Sequence, residues 1–319
     1  MKQIMHNIFS IKNNGQTHYL IKILGFKIKL PRKKFLKKKR QSLYYYYKKN
    51  NIDITAIPPA EGQIRDIQLA NLALLKELDY VCKQNHLTYW LDGGTLLGAI
   101  RHRGFIPWDD DIDVAMLRKD YEKLPDAFKK SSRNPEIFAE YWRSPMDPCG
   151  YRIKVQHKKC QHLFVDIFPW DEYGLRLTQK EQEKESKKID KIRKELEKNI
   201  KFEDKNEYVQ TQISNAMKNK ILSHKNQAKC DYVWGIDFHH HWKNWFTHYE
   251  VLKPLKTIIF EDFEFPCLNN PDAFLTRLYG NYMSYPKKIT MGHSMYLELN
   301  DKDKITIEGL KNSLSDYGD

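Results

Sequence analysis

Long apolar runs are missing from this chain: nowhere do its 319 residues approach the ~20 consecutive apolar residues that a helix needs to cross a bilayer. No basic-then-apolar leader with a small-residue cleavage site opens it either. Membrane threading and secretion are therefore not expected; the expected location is the cytoplasm, with a peripheral position at the inner face of the cytoplasmic membrane. Cysteine is scarce and scattered. Cys82, Cys149, Cys160, Cys230 and Cys267 form no C-x-x-C pair and are odd in number, which excludes a disulfide framework and a zinc ribbon and points to reduced thiols. Internal repeats are lacking as well. Acids are the minority charge, 41 Asp+Glu against 54 Lys+Arg for a formal net charge of +13. Such a balance favours anionic partners: phosphorylated substrates, acidic lipids or nucleic acid. What remains is 41% hydrophobic and 13% aromatic, a globular composition on a length that suits one large domain or two smaller ones.

Against that basic background, residues 90–116, WLDGGTLLGAIRHRGFIPWDDDIDVAM, place Asp109, Asp110, Asp111 and Asp113 within five positions. Charges so close repel one another, and the repulsion is relieved by proton uptake or by a bound cation. The alternation Asp111, Ile112, Asp113, Val114 predicts a strand from about Asp111 to Leu117. Side chains at i and i+2 share a strand face, with Cα atoms about 6.6 Å apart, so Asp111 and Asp113 point together while Ile112 and Val114 face the core. Asp109 joins them if the strand begins early, and the parity of Asp110 turns it away as a turn-capping residue. Upstream, Thr88–Leu91 reads as a short strand, Asp92-Gly93-Gly94 as a break and Thr95–Arg101 as a helix. A glycine turn between strand and helix aims backbone N–H groups at one point and suits a phosphate. Arg101 reads either as a helper there or as a surface residue at the helix end. Further on, HLFVDIFPW carries Asp166 as a lone acid in an apolar run, which must be paired or functional. If its strand adjoins that of Asp111 and Asp113, it completes a three-carboxylate cluster.

The flanking regions carry less chemistry. Residues 1–60 read as a basic leader, in which KIKLPRKKFLKKKR and the preceding apolar patch suit a membrane surface; Tyr44 to Tyr47 would add interfacial aromatics. From Gly62 a helix is expected, with Ile64, Ile67, Leu75, Leu78 and Cys82 on its core face. Residues 119–131 read as a helix interrupted at Pro125, and Ile137–Trp142 and Tyr151–Gln156 as strands. Thr178 to Lys205 form a Lys/Glu-rich surface helix with Ile189, Ile192, Leu196 and Ile200 in one stripe. Residues 232–249 hold dense aromatics with His239, His240, His241 and His248, read as structural aromatics with exposed histidines or as a substrate-facing wall. Two β-prone segments flank Glu261-Asp262, and a helix runs from about Pro271 to Gly280, with Pro at its start and Gly past its end. The expected division is 61–175 as catalytic core, 176–230 as charged helical insertion and 231–319 as the completing C-terminal part.

LDGGTLLGAIRHRGFIPWDDDIDVAM, then FVDIFPW, then PLKTIIFEDFEFPCL with YGNYM and a following proline resemble the LicD/fukutin family over roughly residues 62–290. The resemblance implies an α/β (α+β) class, a nucleotidyltransferase-like mixed sheet flanked by helices, with a Gly-Gly turn, a carboxylate–apolar–carboxylate strand and a third carboxylate on a later strand. Carried onto this chain these are Gly93 and Gly94, Asp111 and Asp113, and Asp166. It also implies transfer of a phosphate-linked group, phosphocholine foremost or ribitol phosphate, from a CDP-linked donor to a glycan, with CMP released. On that reading Asp111, Asp113 and Asp166 hold one or two Mg²⁺ or Mn²⁺ ions, Asp166 accepts the acceptor's proton, and Gly93, Gly94, Thr95 and Arg101 bind the nucleotide phosphates. The partners expected are CDP-choline or a CDP-polyol, a glycan or glycolipid acceptor and an anionic membrane surface at residues 19–40, with no nucleic acid. Asn281 in YGNYM stands where the family often has Asp, so no acidic role is carried to it. Two other readings stay open: nucleotidyl transfer from an NTP with pyrophosphate release, and a non-catalytic basic protein binding nucleic acid or an anionic glycan. For a choline cage, Trp90, Trp108, Trp170 and the aromatics of 232–249 are the candidates.

Overall fold

The computed structural model describes residues 9–13, 18–23, 26–31, 44–143, 151–197, 215, 229–236, 246–289, 292 and 297–316. Near the N-terminus three strands, β1 (Phe9–Asn13), β2 (His18–Ile23) and β3 (Phe26–Pro31), pair antiparallel in sequence order. This stretch was expected to be part of a basic leader suited to a membrane surface, and no strand was expected in it. The Lys-rich residues 32–40 lie outside the described residues, as do Cys149, Ile200 and His239 to His241.

The main body begins upstream of the boundary expected at residue 61. Ile54 and Ile57 are core residues, and Tyr44 is buried with its hydroxyl donating to Pro107 O at 3.0 Å and its ring edge-on to Trp108. Tyr44 is therefore a packing residue and not an interfacial aromatic; Tyr45 and Tyr46 are exposed. Helix α1 (Gln63–Gln84) follows, and its apolar stripe of Ile64, Ile67, Leu75 and Leu78 is buried as the periodicity requires. After β4 (Tyr89–Leu91), helix α2 (Gly93–His102) leads to β5 (Ile112–Leu117). Helix α3 (Leu124–Ser131) starts with Pro at its first turn, so Pro125 opens a helix and does not interrupt one.

A hairpin of β6 (Ile137–Arg143) and β7 (Tyr151–His157) feeds the long β8 (Cys160–Glu172). The sheet centres on β8. One edge pairs parallel with β5, from Ile112↔Val165 to Leu117↔Trp170. The other edge is shared: its first half pairs antiparallel with β7 and its last residues with β9 (Tyr232–Trp234), which β10 (Phe246–Thr247) then joins. β4 lies antiparallel outside β5. The result is a mixed α/β sheet flanked by helices. A parallel pair needs a long crossover, here supplied by α3 and the β6–β7 hairpin.

Helix α4 (Gln179–Glu197) was expected to be a surface helix. Most of its residues are exposed, and Ile189 of the expected stripe is buried in a second small core with Tyr173, Val233, Ile236 and Phe246. Strands β11 (Lys256–Phe260) and β12 (Phe263–Cys267) form a hairpin, followed by α5 (Pro271–Tyr279) and α6 (Asp301–Asn312), the latter absent from the sequence expectations. Glu261, at the hairpin turn, takes both guanidinium nitrogens of Arg65 at 2.9 and 2.7 Å and the Phe105 N–H at 3.1 Å. That one carboxylate fastens the C-terminal hairpin to α1 and to the end of α2. Cys82, Cys160, Cys230 and Cys267 are buried free thiols.

The parallel pair is locked at its far end by Asp171 on β8, which binds Arg118 at 2.8 and 2.7 Å and accepts the Ile236 N–H at 3.0 Å. Arg118→Ala leaves the buried carboxylate with its backbone donor alone. We predict a stability loss of about 3–5 kcal/mol by urea unfolding, and a loss from Asp171→Asn as well, because the Arg118 guanidinium, 13% exposed, then loses the carboxylate opposite it.

Candidate active site

The acids occupy the end of the parallel pair where β4 runs into α2. Asp92 ends the extended segment and caps α2: one carboxylate oxygen accepts the Gly93 N–H at 2.9 Å and the other the Trp170 indole N–H at 3.2 Å. The helix thus begins at Gly93, two residues earlier than the pattern suggested. Gly93 has φ +49°, and a Cβ there would stand 3.1 Å from Asp113 Oδ2; a Cβ on Gly94 would stand 3.2 Å from Asp109 Oδ2. The double glycine therefore lies directly against the acids. The Thr95 hydroxyl accepts the Asp113 N–H at 2.8 Å, so it first serves to fix Asp113.

Asp109, Asp110 and Asp111 precede β5 in a loop, and each offers an oxygen within 4.8 Å of the others. Asp110 is not turned away: strand parity does not apply, because the strand starts at Ile112. Asp113 lies on β5 in register with Asp166 on β8. The sequence-predicted trio of Asp111, Asp113 and Asp166 is thus brought to one place, joined by Asp109 and Asp92. Burial pushes the Asp113 carboxyl well above the ordinary range, and Asp111, Asp166 and Asp92 push it further while Arg152 opposes. Asp109 is raised too, by burial and then by Asp111. Tyr279 is 39% exposed as a residue, but local desolvation of its hydroxyl, and after it the charges of Asp113, Asp92, Asp109 and Asp111, push that hydroxyl above its ordinary range.

Hard carboxylate oxygens crowded in this way fit a divalent cation such as Mg²⁺ or Mn²⁺. Asp166 adds a carboxylate to the set, with its Oδ1 already 2.8 Å from Arg152 Nε and 3.5 Å from Lys154 Nζ.

Arg101 is buried, contrary to the surface alternative. It donates to Tyr282 O at 2.8 Å and to His102 Nε2 at 3.0 Å and lies 5.8 Å from the Trp108 ring. Burial brings its pKa down to about 10, with Tyr279 and then Asp109 opposing. Trp90 and Trp170 are buried edge to face against each other, and Trp108 is packed on Tyr44, so none of the three walls a cage. His248 is tied through Nδ1 to buried Asp231 at 2.8 Å, and Asn281 is exposed.

Sequence reasoning passed over the residues that hold the acids in place. Gln68 donates to Asp109 O at 2.6 Å, and Asn71 donates to Asp110 O at 2.8 Å while accepting the Phe164 N–H at 3.0 Å. Both are fully buried on α1. Asn71 interrupts the apolar stripe between Ile67 and Leu75, and that gap was a readable signal. Gly292 closes the loop from the other side, donating its N–H to Trp108 O at 2.7 Å; a Cβ there would meet Asp110 Oδ1 at 2.4 Å.

Comparison with known proteins agrees with this geometry. The family model described as LicD/FKTN/FKRP, nucleotidyltransferase domain, matches residues 86–202. Lipopolysaccharide cholinephosphotransferase LicD of Haemophilus influenzae is 30% identical over 249 residues, 70% of this chain and 92% of that protein. The chain belongs to the LicD family. Ribitol 5-phosphate transferase FKRP of Homo sapiens is 38% identical over 85 residues, 26% of this chain but 16% of that protein. A third relative, the uncharacterised RP689 of Rickettsia prowazekii, is 45% identical over 97 residues, 30% of this chain and 31% of its own. The LicD-family match contains every acid of the site, and the chain is an enzyme of the LicD/FKRP phosphotransferase family.

Burial raises the Asp92 carboxyl from 3.8 to about 6. A carboxyl raised on folding contributes stability that is full below its unfolded value and lost as pH climbs through the folded one. Asp92→Asn removes that dependence. Relative to wild type, the variant should gain stability between pH 4 and pH 7, by up to roughly 3 kcal/mol, in denaturation curves of the metal-free protein. A flat difference across that range would refute the burial of Asp92 as an ionisable group.

Proposed function

We propose that this enzyme moves phosphocholine from CDP-choline to a hydroxyl of a cell-surface glycan, such as lipopolysaccharide or teichoic acid, releasing CMP. One observation carries the reading: acids from a single loop and strand converge with Asp166, some fifty residues downstream, at the start of a glycine-opened helix. The 30% identity to a lipopolysaccharide cholinephosphotransferase supports the choice of transferred group.

Asp111, Asp113 and Asp166 would hold the divalent ion, with Asp109 beside them. Bound there, Mg²⁺ or Mn²⁺ would supply charge neutralisation and orientation to the donor diphosphate. The start of α2, at Gly93 and Gly94, presents the positive end of a helix to the same phosphates. Arg101, near Asp109, adds a buried positive charge on that side. Asp166 is the candidate acceptor of the glycan hydroxyl proton. Arg152 at 2.8 Å and Lys154 at 3.5 Å hold that carboxylate in place beside the acids, and a general base must first be positioned within reach of the proton it takes.

A polyol phosphate is the second reading for the transferred group. The similarity to a ribitol 5-phosphate transferase favours it. So does the placing of Arg152 and Lys154 against Trp142, Phe164 and Phe168 beside Asp166, since positive charge there repels a quaternary ammonium group. Incubation of the protein with Mg²⁺ or Mn²⁺, a glycan extract and a panel of CDP-linked donors should release CMP from one donor class. Asp111→Ala and Asp113→Ala should each cut that release by roughly 100-fold or more. Pyrophosphate released from an NTP would establish nucleotidyl transfer instead, and undiminished turnover in either variant would sink the assignment.

A further inference from the structure

One row of charged side chains on the sheet extends past the acids. β7 lies beyond β8, and Lys154 sits in register with Asp166 just as Asp166 sits in register with Asp113. Arg152, two residues earlier on β7, shares that face. Both cations are nearly buried, with 12% and 7% of their side-chain surfaces exposed. Lys154 Nζ lies 3.5 Å from the Phe164 ring centre and 4.2 Å from that of Trp142; the Arg152 guanidinium lies 4.7 Å from Trp142 and 5.8 Å from Phe168. Aromatic faces hold cations in position, but they do not neutralise them.

Their anion is shared and poorly aligned. Both ion pairs fall on Asp166 Oδ1, at 2.8 Å from Arg152 Nε and 3.5 Å from Lys154. Neither Arg152 Nε nor Asp166 Oδ1 makes an aligned hydrogen bond among the described residues. Arg152 Nε thus keeps open donor capacity in a desolvated place directly beside the acid cluster, and both cations would stand free for an anion once a bound metal ion took up the charge of the neighbouring Asp111 and Asp113, which act on them. A buried charge is tolerated when a partner completes it, and a phosphoryl group is the complement of a guanidinium–ammonium pair.

We propose that Arg152 and Lys154 form a phosphate-binding subsite on the β7 side of the acids, seated on Trp142, Phe164 and Phe168 and oriented by Asp166. This inference rests on the transferase reading above and extends it to the ligand's charge: the β7 wall takes an anion and excludes a quaternary ammonium group. The phosphate comes either from the donor's diphosphate or from a phosphorylated acceptor glycan.

Equilibrium binding of cytidine, CMP, CDP and inorganic pyrophosphate to the full chain with Mg²⁺ and no acceptor tests it, in wild type, Lys154→Met and Arg152→Met. The donor source predicts that CDP and pyrophosphate affinity falls at least tenfold in both variants while cytidine binding holds. The acceptor source predicts unchanged CDP binding but a tenfold rise in the KM of a phosphorylated acceptor, with no such rise for its dephosphorylated form. Unchanged CDP, pyrophosphate and acceptor parameters in a folded variant overturn the subsite. Where a neutral variant does not fold, wild type decides: CDP bound no more tightly than cytidine, together with equal KM values for phosphorylated and dephosphorylated acceptors, overturns it equally. Loss of pyrophosphate binding in the variants, when no CDP-linked donor turns over in wild type, leaves the subsite standing and removes the transferase reading. CMP release with no variant effect on phosphate binding does the reverse.

Discussion

Unit charges 4 Å apart repel by roughly 4 kcal/mol at the effective dielectric of a protein surface, and Asp109, Asp111, Asp113 and Asp166 are gathered despite that cost. The interior polar groups of the fold are arranged around this constraint. Gln68 and Asn71 of α1 hold the backbone of the acid loop by its carbonyls, Thr95 holds Asp113 by its amide, and Gly93, Gly94 and Gly292 clear the space in which the carboxylates stand. None of these contacts neutralises an acid. They fix the main chain and leave the carboxylates short of counter-charge, the condition in which an oxygen-preferring cation binds strongly.

Positive charge is distributed on a different plan. The chain carries a net +13, yet the described cations acting at the acid site are few and each is anchored: Arg101 by Tyr282 and His102, Arg152 and Lys154 by aromatic faces and Asp166. Arg118 and Arg65 are consumed in bidentate pairs that tie strands and hairpin together. Of these cations, Arg118 and Arg65 each have a carboxylate of their own and serve the fold, Arg101 is held by a backbone carbonyl and a histidine, and Arg152 shares its carboxylate with Lys154. The last pair is the one proposed above to take a substrate anion.

Much of this was legible in the residues. The strand after the acid run, the helix following the double glycine, the strands β6 and β7, the two β segments around Glu261-Asp262 and the helix from Pro271 all follow from local rules of periodicity and punctuation. Errors arose where local rules ran out. Strand parity was applied to Asp110, which lies in a loop; Arg101 sits at a helix end but is buried by the segment around Tyr282; Tyr44 looked interfacial until Pro107 and Trp108 supplied its partners. Ile189 lies on the apolar stripe that periodicity shows, but the core it enters, with β9 and β10, was not legible there because those strands lie far along the chain.

What the sequence by itself determined is where the costly side chains lie: a dense run of carboxylates beside a glycine turn is expensive at any place in a fold, so its residue types alone point to a cation or proton site as the expectation. Tertiary structure decided which acids meet and what stands behind them. The register of β5 on β8 sets Asp113 beside Asp166, the register of β7 on the same strand sets Lys154 beyond it, and α1 presents Gln68 and Asn71 from outside the sheet. These are relations between segments tens of residues apart, set by the packing of apolar faces, and spacing along a single strand or helix carries no information about them.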